Sequence, residues 1–105
     1  MRRYASQRLL NADTGELLSY QAVELDDGGG VMSISAFAGE SASTVWAVGL
    51  LVVASSAVKL TSGESFASFR QSNVRPSAAR LHAYLITPFD ISKMEFTPQS
   101  RVVNL

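Results

Sequence analysis

Apolar runs cut at short intervals by turn-forming residues divide this chain into extended segments. Residues 3–10 have the length of a strand and end on Asn11-Ala12-Asp13-Thr14-Gly15. Asn and Asp side chains bond the local backbone there and Gly15 tolerates positive φ, so the chain turns. Residues 17–25 form the next strand, with Leu18, Tyr20 and Ala22 on one face. Asp26-Asp27-Gly28-Gly29-Gly30 closes a hairpin, and residues 31–37 return from it. Along the return Met32, Ile34 and Ala36 alternate with Ser33 and Ser35. This is the cleanest period of two in the chain, and it predicts one buried and one wet face.

After a small polar loop at residues 39–43, residues 44–54 supply one or two further strands, bent at Gly49. Residues 58–60 continue the sheet. Thr61-Ser62-Gly63-Glu64 then has the spacing of a capping box, in which Thr61 caps the backbone and Glu64 reaches back. That spacing predicts a helix over residues 62–72, with Phe66, Phe69 and Asn73 along one side. Pro76 forbids its extension. Residues 79–87 read as a strand with Leu81, Ala83 and Leu85 opposed to His82, Tyr84 and Ile86, stopped by Pro88. Residues 89–96 are irregular or weakly extended, and residues 101–105 form a short strand. The sum is six to eight short strands with one inserted helix, a mainly β fold of the small sandwich or partly open barrel type.

Composition narrows the function classes. The 105 residues suit a single domain. No cysteine is present, which removes disulfides, thiol catalysis and cysteine-ligated zinc together, and fits a reducing compartment such as the cytoplasm. Nine basic and nine acidic residues cancel, so no net field draws in nucleic acid or an anionic membrane. The one membrane candidate, residues 41–58, is uncharged but shorter than the ~20 residues a span needs. Its β-branched run, broken by Gly49, reads better as buried strand. A hydrophobic fraction of 47% with 17% charged residues is high for so small a domain, which points to apolar surface covered by a protein partner or a second copy.

Candidate chemistry is sparse. His82 is the single histidine, and one imidazole cannot set the geometry of a hydrolytic metal site. Gly63-Glu64-Ser65-Phe66-Ala67 stands where a nucleophile elbow would, but the hydrolase fold that uses one needs a parallel sheet and far more chain. Ser65 in the first turn of a helix is the simpler reading. Gly28-Gly29-Gly30 is followed by a strand instead of a helix N-terminus, so it is a hairpin and not a phosphate cradle. Asp13, Asp26, Asp27 and Asp90 fall in loops without the spacing of a calcium loop. Arg70, Arg75 and Arg80 recur every five residues, which matches neither a helix face nor a strand face, and no nucleic-acid-binding signature accompanies them. No catalytic, metal or cofactor residue is expected. Trp46, Arg80, Tyr84 and Phe89 are the residues best suited to a pocket or interface, although such aromatics are more often core.

The order of these segments resembles the amidohydrolase superfamily of metal-dependent hydrolases. Leu9-Leu10-Asn11-Ala12-Asp13-Thr14-Gly15 is similar to that family's opening strand and turn, and Val23-Glu24-Leu25-Asp26-Asp27-Gly28 to the step into its D-G hairpin. Val31-Met32-Ser33-Ile34 looks like the returning strand. Trp46-Ala47-Val48-Gly49-Leu50-Leu51-Val52 is similar to the strand entering the catalytic barrel, and Ala83-Tyr84-Leu85-Ile86-Thr87-Pro88-Phe89-Asp90 resembles the strand that follows it. The resemblance implies the small β-sandwich, or composite domain, into which the flanking segments of the family fold. It also implies what is missing. Where the family's H-x-H pair would follow the entering strand, this chain has Val53-Ala54-Ser55-Ser56, so no metal ligand carries over. The expected function is therefore a non-catalytic structural or protein-interaction module, self-associating or docked on another protein. An accessory subunit of a metal-dependent hydrolase and a small-molecule-binding domain are the alternatives.

Overall fold

The computed structural model describes residues 2–37, 44–76 and 79–105. Among them seven strands form one sheet: β1 (Arg2–Asn11), β2 (Leu17–Leu25), β3 (Val31–Ala36), β4 (Thr44–Trp46), β5 (Leu50–Ala54), β6 (His82–Asp90) and β7 (Glu95–Asn104). One helix, α1 (Phe66–Asn73), lies between β5 and β6. The strand order is β3-β2-β1-β5-β6-β7, with β4 also paired to β1. The polar loop expected at residues 39–43 lies outside the described residues.

All pairings are antiparallel except those of β1 with β4 and β5. These two short strands run along the same edge of β1, at Arg3–Ala5 and then at Arg8–Asn11, as one strand bent at Gly49. The sheet curls until its first strand meets its fifth. Gly30 bridges His82, and the Val31 amide donates to Leu81 O at 2.9 Å. The result is a partly open barrel, and its interior takes one side chain set from every strand it contains. Val23 and Leu25, Leu9, Leu51 and Val53, and Ala83 fill it, with Ile34 and Val31 from β3 packed alongside.

The opposite face of β1, β5 and β6 is equally apolar. Leu10, Leu50, Val52, Tyr84, Ile86 and Phe89 are buried there, under Phe69 of α1. Phe69 is fully buried and meets the Phe96 ring edge-on at 5.1 Å. β5, with every residue buried, is therefore the uninterrupted Leu-Leu-Val-Val-Ala run of a strand covered on both sides.

Four expectations from the sequence are corrected. The helix starts at Phe66 and not at residue 62. Only half of the capping box forms: the Thr61 amide donates to Glu64 Oε1 at 3.1 Å, the Glu64 amide donates to the Thr61 carbonyl and not to its hydroxyl, and Gly63 at φ +77° turns the chain out of the helical path. Ser65 is the residue that caps α1, its Oγ accepting from the Ser68 amide. Residues 58–60 do not continue the sheet; Lys59 instead exchanges two hydrogen bonds with the Asn73 side chain at the end of α1. Pro88 does not stop β6, because the register shifts between Thr87 and Phe89 and a bulge needs no proline amide. The strand then pairs through to Asp90, and residues 95–104 form one long strand with it. Finally, Met32 is 52% exposed. Between Leu25↔Val31 and Glu24↔Ser33 the β3 side holds one extra residue, so Val31 and Ile34 face the barrel and Met32 turns out.

Candidate functional site

Exposed aromatic surface gathers at one place on the fold. Tyr20 of β2 and Trp46 of β4 are 49% and 45% exposed, with ring centroids 6.2 Å apart. Phe37, immediately after β3, packs on Trp46 at 5.7 Å. Val45 and Val48, on either side of Trp46 in sequence, are exposed as well. Burying an aromatic ring stabilises by about 1.5–3 kcal/mol, so three rings left partly in water form a surface on which association gains free energy.

The backbone beneath this patch is irregular on both strands. Tyr20 has φ +50°, which a bulky residue seldom adopts. Opposite it, the β1–β2 register runs from Ser6↔Gln21 to Arg8↔Ser19 without pairing Gln7. Buried Ser6 bonds the Arg8 amide and carbonyl with its own hydroxyl, which draws β1 out of the ladder at that point. The break flips the alternation of β2: Ser19 and Tyr20 are both exposed, while Ala22 and Val23 are both buried. Tyr20 thus leaves the face that its spacing would share with Leu18 and Ala22. The Phe37 amide donates to Tyr20 O at 2.8 Å and holds the two rings' backbones together.

The four sequence-derived residues do not converge on one pocket. Trp46 alone belongs to the patch. Tyr84 and Phe89 are core residues under α1, where the alternation of β6 and its bulge direct them. Phe89 meets Phe96 at 5.1 Å and Phe66 at 6.0 Å. Arg80 pairs with Asp26 across the mouth of the barrel, its guanidinium lying over Gly30. Asp26 also accepts the Gly28 and Gly30 amides at 2.9 and 3.0 Å, so the triple glycine is organised as a hairpin turn. Arg70 bonds Gly15 O and the Arg75 amide donates to Ala12 O, which places the three arginines on separate tasks.

The remaining candidates have structural partners. Ser65 is engaged in capping, and His82 pairs with Ala54 at the start of β6. Asp90 accepts the Lys93 amide at 3.1 Å and the Ser92 hydroxyl at 2.8 Å in the β6–β7 turn. The Lys93 amide foremost, then the Ser92 hydroxyl, holds its carboxyl below the ordinary value of 3.8. A groove of about 630 Å³ opens between the start of α1 and Met94–Pro98 of the hairpin, over Phe66 and Phe96. Glu64 on its rim is bonded to the Thr61 amide and to Ser68 Oγ. Among the described residues no three of His, Cys, Asp and Glu cluster in a way that could hold a metal ion. No helix among them is long and apolar enough to cross a membrane.

No protein-family model, curated protein or solved structure matches the chain.

Proposed function

We propose that this chain is a non-catalytic protein-interaction module that docks through Tyr20, Phe37 and Trp46. The observation that carries this function is the exposure of Tyr20 and Trp46 in one cluster with Phe37. Trp and Tyr are the side chains most enriched among residues that dominate binding energy, and Lys and Glu are depleted at such sites. The cluster holds no carboxylate, amine, imidazole or thiol, so what it offers a partner is desolvation. The absence of cysteine supports a cytoplasmic setting.

Trp46 is the single tryptophan, so its fluorescence reports on the proposed surface directly. Light scattering coupled to size exclusion, on protein purified natively from its source, is expected to give an assembled species in which Trp46 emission is blue-shifted. Trp46→Ala is expected to dissolve that assembly without lowering thermal stability much, since the ring is half in solvent. A monomer at every concentration with no co-eluting chain, or an assembly indifferent to Trp46→Ala and Tyr20→Ala, would overturn the proposal.

A second function rests on the resemblance to the composite domain of metal-dependent hydrolases. In its support, the two segments that flank the barrel in that family, here β1–β5 and β6–β7, belong to one sheet. The chain would then be an accessory subunit beside a separate barrel. Co-purification with a barrel-bearing protein tests it, and failure to find one in the natively purified fraction removes it.

A further inference from the structure

The main strand order ends on β3 and β7, and these two edges are protected very differently. An edge strand presents unpaired amides and carbonyls to any chain that can pair with them, and proteins commonly blunt such edges with proline, charge or local bonding. β7 is blunted in all three ways. Pro98 has no amide, the Thr97 amide is taken by Ser100 Oγ and the Gln99 amide by Thr97 Oγ1, and Glu95 and Arg101 are charged and exposed. β3 has none of these. Val31-Met32-Ser33-Ile34-Ser35-Ala36-Phe37 contains no proline, glycine or charge. Among the described residues its outer edge is met only at Val31, where the barrel closes on Leu81.

The pattern of free groups on β3 has a symmetry of its own. Phe37 donates to Tyr20 O, which in an antiparallel ladder directs the amides and carbonyls of Ser35 and Ser33 towards β2 as well. Those of Ile34 and Ala36 therefore point outwards, away from the sheet. About Ile34 the side chains also read the same in both directions: serine at one step, apolar at two, apolar at three.

We infer that a second copy of this chain docks edge to edge on β3, antiparallel, about a two-fold axis through Ile34. The inference rests on the interaction-module function proposed above and names its partner. On that axis Ile34 exchanges both of its outward hydrogen bonds with the partner's Ile34 and Ser33 faces Ser35 of the other copy, while Met32, turned out by the bulge, lies beyond the regularly paired segment. Every pair is like with like, and no pair sets charge against charge or apolar against polar. A two-fold contact of this kind is closed, so it gives a dimer and not a filament. Phe37, the next residue after β3, carries the aromatic patch to the rim of the same interface. One strand pair is a small contact, so the dimer is weak and concentration-dependent.

The register makes a sharp test, because Ser33 and Ser35 are exposed and oppose each other only across this axis. Sedimentation velocity over a wide concentration range is expected to show a monomer–dimer equilibrium for the unaltered chain. The double variant Ser33→Lys/Ser35→Lys places like charges opposite each other twice, and Ser33→Lys/Ser35→Glu places opposite charges there twice. The two are expected to differ in dimer dissociation constant by roughly tenfold or more, the Lys/Glu chain being the tighter. Circular dichroism of both monomers checks that each remains folded. Equal dimerisation of the two variants would overturn the inference while leaving the interaction module standing. So would an assembly with a different protein that both variants form unchanged. A strict monomer at all concentrations, with no co-eluting chain, would remove both.

Discussion

Replacing Gly49 by alanine is expected to be among the most damaging single-methyl changes in this chain. Gly49 joins β4 to β5 at φ +142°, a conformation that residues with a Cβ rarely hold, and forcing one there costs about 1–3 kcal/mol. The new methyl would also land on Ile86 O, backbone of the neighbouring strand, with Leu85 Cδ1 and Thr87 Cβ each at 3.2 Å. Relief requires β5 and β6 to separate where Leu50 pairs with Ile86, which disturbs both cores at once. Overpacking of that kind costs a further ~1–3 kcal/mol, so about 2–6 kcal/mol is lost in all. For a domain of this size 1 kcal/mol moves Tm by roughly 4–8 °C, and the expected fall is therefore roughly 8 °C or more. Gly63→Ala is the matched control. It too has a positive φ, +77°, but no atom lies within 4 Å of the added Cβ, so only the left-handed strain of about 1–2 kcal/mol remains. Thermal unfolding followed by circular dichroism and by Trp46 fluorescence reads both variants. A Gly49→Ala protein within a few degrees of the unaltered chain, or one less affected than Gly63→Ala, would refute the reasoning.

Two further changes probe the β6–β7 hairpin. Ser100→Ala removes a buried hydroxyl that donates to Pro88 O and accepts the Thr97 amide at 2.9 Å; urea unfolding is expected to show a loss of about 1–3 kcal/mol, and no loss would mean that water replaces the hydroxyl without cost. Asp90 has a folded-state pKa below its ordinary value, so its contribution is complete above pH ~4 and disappears as pH falls through the lowered value. The stability difference between the unaltered chain and Asp90→Asn is expected to shrink on acidification, and a difference constant from neutral to strongly acidic pH would contradict the bonding seen in the turn.

Much of the strand pattern was legible because it is local. The Asp26–Gly30 hairpin, the bend at Gly49 and the alternation of Leu81, Ala83 and Leu85 all follow from turn chemistry or from a period of two. What escaped depends on pairing. The bulges at Met32 and at Pro88 exist only relative to the opposing strand, and no property of Met32 itself announces that it will face solvent. Glu64 was read correctly as reaching back to Thr61, but Thr61 was read wrongly as the cap of a helix, since Gly63 decides which way the chain leaves it. The aromatic patch was half legible. Trp46 was already among the residues suited to an interface, whereas the spacing of Tyr20 set it on one face of β2 with Leu18 and Ala22. Its exposure arises from the distortion around Ser6 and Gln7 on the other strand, and a buried serine in a strand is a faint signal for that.

The parallel ladder between β1 and β5 sets the tempo of folding. β1 finds β2 across a short turn, but its other edge waits for Leu50–Ala54, with the whole β2–β3 hairpin and β4 made in between. Loop closure over that separation must precede the contacts that reward it, so high contact order governs the barrier. Until β5 arrives, Leu9 and Leu10 lie on a strand with one naked side, and the collapse that creates the native chain is also the moment at which it is most open to a wrong neighbour.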